Sequence, residues 1–232
     1  MTTSPNQPLD TAATATLTPV RHAVVFDLDG VIVDSLAVMN EAFTHAYAEV
    51  VGDGPAPFEE YQRHQGRYFT DIMQIMGLPL EMEEPFVRES YRLAGQVRVF
   101  DGIPELLTTL RERGLRLAIA TGKAGDRARS LLDVLGLLPH FDHVIGSDEI
   151  PHPKPAPDIV RHALALLDVP ADRAIMVGDA PTDMASARGA GVATAAAVWA
   201  TIDREELLAC GPDVVLHGPA DLLAVCPAVH TR

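Results

Sequence analysis

A chain of 232 residues, 47% hydrophobic and 22% charged, can bury a full core and has room for one domain with a large insertion or two small domains, which excludes a mostly disordered chain. The formal charge of −14, from 32 acidic and 18 basic residues, repels a phosphate backbone, and no Lys/Arg run offsets it, so no nucleic-acid partner is expected. Cys210 and Cys226 lack the spacing of a disulfide framework or a zinc site and read as reduced structural thiols.

Residues 1–20 are rich in Thr, Ala and Pro, with neither a basic start nor an apolar run before a cleavage site, so they read as a flexible tail and not as a signal peptide. No segment approaches the ~20 apolar residues that span a bilayer. A cytoplasmic protein with no membrane partner is the expectation.

The run Ala23-Val24-Val25-Phe26 is short, apolar and β-rich, and it stops at Asp27-Leu28-Asp29-Gly30, as a buried parallel strand stops at a functional loop. Residues 36–99 follow as several helical patterns in succession, broken by loop signals at Gly52-Asp53-Gly54-Pro55 and Gly77-Leu78-Pro79. They predict an inserted helical cap. Beyond it, apolar strands at 115–120 and 174–177 end at Thr121-Gly122 and Gly178-Asp179, with helical patterns at 104–113, 126–135 and 158–167 between them. Weaker strand patterns lie at Val144-Ile145 and 193–198, and Val214-Val215-Leu216 suits a sheet edge. The predicted fold is therefore α/β, a Rossmann-like parallel sheet with helices on both faces, formed by residues 21–35 and 100–232, with the cap at 36–99. In such a sheet the polar strand ends meet in one cleft.

Asp27 and Asp29 stand one residue apart after the first strand, where a turning backbone can aim both carboxylates into that cleft. One can attack phosphorus while the other protonates the leaving oxygen and then activates water. The tetrapeptide alone suits a turn or a cap equally well. Asp179 and Asp183 add two more carboxylates after the third strand, and hard oxygen ligands grouped in this way suit Mg2+. Four such groups repel one another unless a cation offsets them, and the same ion screens the charge of an approaching phosphate. Thr121-Gly122-Lys123 offers a hydroxyl and backbone N–H groups to phosphoryl oxygens, and the glycine permits a close approach, although Thr-Gly after a strand is often only a turn. Lys154 sits between Pro153 and Pro155, which stiffen a loop that would fix a cation beside the nucleophile; a solvated loop lysine is the alternative.

The set Asp27-Leu28-Asp29-Gly30-Val31-Ile32-Val33-Asp34-Ser35, Thr121-Gly122-Lys123, Lys154-Pro155-Ala156-Pro157-Asp158 and Gly178-Asp179-Ala180-Pro181-Thr182-Asp183 resembles, in order and spacing, the four motifs of haloacid dehalogenase superfamily phosphatases. It looks closest to the branch of phosphoglycolate phosphatase and β-phosphoglucomutase. The resemblance implies Asp27 as the nucleophile that forms an aspartyl-phosphate and Asp29 as general acid/base. It further implies that Mg2+ is bound by Asp27, the backbone carbonyl of Asp29 and Asp179, with Asp183 supporting that shell. Thr121 would hold the phosphoryl group and Lys154 would stabilise it together with Asp27. Asp29 counts against dehalogenation.

Substrate choice then falls to the cap. His64, Gln65, Gly66 and Arg67 lie where related caps place a loop facing the active site, so His64 and Arg67 are candidates for substrate contact; Arg67 could equally pair with Glu59 or Glu60. Tyr68 and Phe69 suit either ring stacking or a core, the acidic segment 81–84 a solvated helix start, and His152 an exposed loop. The expected partner is a small phosphate ester: a phosphosugar, phosphoglycolate, a nucleotide or a phosphorylated natural-product intermediate. A monomer or weak dimer is expected. The rival readings are a phosphomutase, against which Val33 stands in place of a threonine frequent in β-phosphoglucomutases, and a non-catalytic binding protein on the same fold.

Overall fold

Successive side chains of a buried strand point to opposite faces, so a central strand feeds two core layers at once. In the computed structural model, which describes residues 21–64, 66–201 and 203–229, the strands in chain order are β1 (Ala23–Phe26), β2 (Val33–Asp34), β3 (Arg98–Val99), β4 (Arg116–Thr121), β5 (His143–Gly146), β6 (Ala174–Gly178), β7 (Ala193–Ala197) and β8 (Val214–Leu216). Six of them form one sheet in the order β5-β4-β1-β6-β7-β8, with every neighbouring pair parallel. Val24 and Phe26 of β1 join Leu117, Ile119, Ile175 and Val177 in one core layer, while Ala23 and Val25 join Ala118, Ala120, Ala174 and Met176 in the other.

Helices α5 (Ile103–Glu112) and α6 (Gly125–Val134) contribute Leu107, Leu110 and Leu132 to the first layer. Helices α7 (Asp158–Leu167) and α8 (Pro181–Gly189) contribute Ile159, Val160 and Ala187 to the second. The expected α/β sheet with helices on both faces is therefore present, and its strand order reverses at β1. At such a point the carboxyl ends of the flanking strands β4 and β6 open on either side of β1, forming the crevice in which open α/β sheets bind ligands.

Between β2 and β3 the chain forms α1 (Leu36–Val50), α2 (Phe58–Gln62), α3 (Phe69–Met76) and α4 (Glu83–Arg92). These helices own a separate core in which Phe43, Phe58, Tyr61, Phe69 and Phe86 meet around Met73 and Met82. Phe69 and Phe86 stack with ring centroids 4.3 Å apart, and Phe43 and Tyr61 lie 4.7 Å apart. Such pairs add about 0.5–1.5 kcal/mol each beyond the area they bury.

The antiparallel pair β2-β3, in register Val33 to Val99 and Asp34 to Arg98, joins this helical segment to the sheet. It was absent from the sequence reading because two residues per strand carry no alternation to detect. The predicted strand at 115–120 is also shifted: Leu115 donates its amide to Leu110 and so closes the turn after α5, and β4 starts at Arg116. The last helix, α9 (Arg204–Ala209), precedes the edge strand β8. Among the described residues no helix is long and apolar enough to cross a membrane. Cys210 and Cys226 are free thiols, as expected. The predicted tail at 1–20 and Gln65 lie outside the described residues.

Candidate active site

Two strand ends, those of β1 and β6, and the loops beyond them bring the predicted acidic residues together. The ladder continues past β1 as the Asp27 amide donates to the Val177 carbonyl at 2.9 Å, which fixes Asp27 beside the end of β6. One carboxylate oxygen from each of Asp27, Asp179 and Asp183 lies within 4.8 Å of the others. Asp183 sits in the first turn of α8, where the helix dipole favours a carboxylate, and its Oδ2 accepts from the Ala180 amide at 3.1 Å.

Lys154 lies beneath this group, fully buried. Its Nζ donates to Asp27 Oδ1 at 2.8 Å, to Asp183 Oδ1 at 2.6 Å and to the Ala120 carbonyl at 3.1 Å. Burial works against the ammonium charge, but Asp183 and Asp27 outweigh it and raise the Lys154 pKa. The carboxylates gain less than they lose. Burial, opposed by Lys154 and assisted by the Asp183 charge, pushes Asp27 from 3.8 up to about 7. Burial and the charges of Asp27 and Asp183 likewise hold Asp179 well above the ordinary range. One ammonium is too little cation for three clustered carboxylates, and their all-oxygen donor set fits a hard divalent ion.

The Asp29 carboxylate stands outside that group. It accepts from Ser35 Oγ, and Lys123 Nζ lies 3.3 Å from its Oδ2. Two partners on different loops hold it in one orientation. Burial lowers the Lys123 pKa, an effect that the Asp29 charge opposes. At the end of β4, Thr121 is buried; its hydroxyl accepts from the Lys123 amide at 3.2 Å and its carbonyl accepts from Ser147 Oγ at 3.0 Å.

Above these residues a cavity of about 50 Å³ is lined on the sheet side by Asp27, Asp29, Thr121, Gly122, Lys123 and Asp179. The helical segment supplies the opposite wall with Tyr61, Gly66, Arg67, Phe69 and Phe86.

A family model described as haloacid dehalogenase-like hydrolase matches residues 24–197. The chain belongs to that family. Proteins similar to it include one from Dickeya dadantii named "Probable phosphatase IndB", 31% identical over 90% of this chain and 95% of its own length. Phosphoglycolate phosphatase from Caulobacter vibrioides is 30% identical over 90% of this chain and 94% of its own. Among solved structures, a hydrolase from Pseudomonas syringae superposes with a TM-score of 0.78 at 26% identity, covering 88% of this chain and 97% of that one. The resemblance read from the four motifs is thus the right one, and the protein is a hydrolase of this family.

Of the residues singled out in the sequence, the structure gathers Asp27, Asp29, Thr121, Gly122, Lys123, Asp179 and Arg67 around the cavity, with Lys154 and Asp183 directly below. His64 is not among the lining residues; it offers its carbonyl to the Arg67 amide at 3.4 Å. His152 is exposed on its loop and pairs with Asp158 at 2.9 Å. Phe69 is core and cavity wall at once, whereas the Tyr68 hydroxyl bonds Glu83 at 3.2 Å. The sequence reading missed Arg127, which also lines the cavity. A signal was present: a basic residue in the first turn of α6 opposes the helix dipole and calls for another reason to be there.

Proposed function

We propose that this family member is a Mg2+-dependent phosphatase that hydrolyses a small phosphate ester through an aspartyl-phosphate on Asp27. The observation that carries this reading is the placement of Asp27. It shares a cavity wall with Asp29 and Thr121, is bonded to buried Lys154, and belongs to a three-carboxylate cluster.

Asp27, Asp179 and the backbone carbonyl of Asp29 would hold the ion, with Asp183 behind them. When bound, Mg2+ supplies positive charge that offsets the phosphoryl oxygens and leaves coordination positions for water and substrate. A carboxylate oxygen of Asp27 attacks phosphorus, and the bond from phosphorus to the leaving oxygen breaks as Asp29 delivers a proton to that oxygen. Asp29, held by Ser35 and Lys123, then takes a proton from water. The hydroxide formed attacks phosphorus, breaks its bond to Asp27 and releases inorganic phosphate. The Thr121 hydroxyl orients the phosphoryl group, and Lys154 keeps Asp27 aimed while offsetting charge beneath it.

Residues 36–99 act as the cap that closes over the leaving group and excludes water, and Arg67 is the cap-loop residue that meets the substrate. Val33, in place of the threonine frequent in β-phosphoglucomutases, favours hydrolysis over a mutase cycle. Hydrolysis of p-nitrophenyl phosphate with Mg2+ and with chelator tests the reading. Turnover that needs Mg2+, and that Ca2+ supports poorly, is the expected result; equal rates in chelator contradict it.

A further inference from the structure

Arg127 is the one cavity cation that the proposed chemistry leaves without work in the core. Lys154 serves Asp27 and Asp183, and Lys123 serves Asp29. Arg127 has no carboxylate within 4.0 Å among the described residues, and its Nε is buried with no hydrogen-bond partner. Its contacts are weak ones across the cap boundary: Nη1 lies 3.4 Å from Ser90 Oγ, and the guanidinium carbon sits 5.2 Å from the centre of the Phe86 ring. Both the N-terminus of α6 and the nearby Lys123 charge oppose a cation at this place. A half-buried guanidinium kept under those conditions is matched to an anion that comes from outside the protein.

The rest of the wall narrows the ligand. Met39, Tyr61, Phe69, Ile72 and Phe86 give the cavity an apolar side that offers few partners to the hydroxyls of a sugar. Met39, Lys123 and Arg127 also line a second cavity of about 30 Å³, whose other walls are Val38, Ala94, Val97 and Leu131 together with Ser35, Ser90 and Tyr91. Arg127 therefore stands at the junction between the reacting carboxylates and a mostly apolar recess.

We propose that Arg127 receives a carboxylate on the leaving alcohol, and that the substrate is the phosphate ester of a hydroxy acid with an apolar side chain. This rests on the phosphatase reading above. The guanidinium fork takes the carboxylate, the recess beyond Met39 takes the side chain, and the phosphoryl group lies over Asp27.

Three esters separate these contributions: phosphoglycolate has the carboxylate alone, hexyl phosphate the alkyl chain alone, and 2-phosphooxyhexanoate both. The wild-type protein is expected to prefer 2-phosphooxyhexanoate over each of the others in kcat/KM. Arg127→Gln is expected to reduce its advantage over hexyl phosphate by roughly 10- to 100-fold, mainly through KM, and Arg127→Lys to restore part of it. Wild-type kcat/KM values for hexyl phosphate and 2-phosphooxyhexanoate within threefold of each other overturn the proposal, and so do equal losses on both esters in Arg127→Gln. If Arg127→Gln does not fold, the wild-type ranking and Arg127→Lys decide. Failure to hydrolyse p-nitrophenyl phosphate with Mg2+ instead overturns the phosphatase reading itself.

Discussion

Replacing Asp27 by Asn removes a charge that burial disfavours, and its effect on stability has a definite sign and pH window. In the metal-free protein burial pushes the Asp27 carboxyl from 3.8 up to about 7 despite Lys154. A carboxyl whose folded pKa lies above the unfolded value binds the extra proton in the folded state. Stability from that group is full below the unfolded value and is lost as pH rises towards the folded one. The slope inside the window is about 1.4 kcal/mol per pH unit. Wild type should therefore lose about 4 kcal/mol relative to Asp27→Asn between pH ~4 and pH ~7. Lys154 keeps its 2.6 Å partner Asp183 in the variant, so the buried ammonium is not stranded. Urea unfolding of both proteins in chelator across this range reads the difference directly. Magnesium should reverse the trend, because it binds deprotonated carboxylates and so stabilises wild type more as pH rises. A difference that changes by less than about 1 kcal/mol across the window refutes the assignment of a buried, desolvated charge at Asp27.

Two glycines give sharper structural tests. Gly30 has φ +81°, and a Cβ there would lie 2.0 Å from Asp179 Oδ2, so Gly30→Ala should displace a carboxylate proposed to hold Mg2+ and weaken Mg2+ affinity about tenfold or more; unchanged affinity by calorimetric titration argues against Asp179 as a ligand. A Cβ on Gly122 would lie 2.7 Å from the Gly66 carbonyl oxygen and 2.8 Å from that of Arg67. Gly122→Ala should hold the cap loop away and lower kcat/KM on metabolite esters about tenfold or more while Mg2+ affinity stays the same; full activity would show that this closed contact is not needed for turnover.

Strands and motifs were legible where side chains are locally dictated. The apolar run 23–26 ends at Asp27 because the strand ends there, and the starts of β6 and β8 and both ends of α7 fall at the predicted residues. The acidic cluster could be anticipated because a parallel sheet delivers its strand ends to one side. The β2-β3 pair could not, since its register is set by the chain leaving for the helical segment and returning, not by its own four residues. The cap wall was opaque for a similar reason. Tyr61, Phe69 and Phe86 read as ordinary core aromatics, and they are core; the same rings line the cavity only because α2, α3 and α4 pack over the sheet ends. Partner choice was equally hidden. Lys123 was a candidate for phosphate and pairs with Asp29, while Arg127, four residues further along, has no carboxylate partner among the described residues.

Covalent capture tests most directly whether Asp27 takes the phosphoryl group. In Asp29→Asn the amide can neither protonate a leaving group nor activate water, but p-nitrophenolate leaves without a proton, so the first step survives and the second stalls. Mixing this variant with p-nitrophenyl phosphate and Mg2+ should release about one equivalent of p-nitrophenolate in a burst. Mass spectrometry of the quenched protein should then place one phosphoryl group on the peptide that contains Asp27. A folded variant that binds Mg2+ and turns over with no burst, with no phosphoryl group on that peptide, would contradict the mechanism.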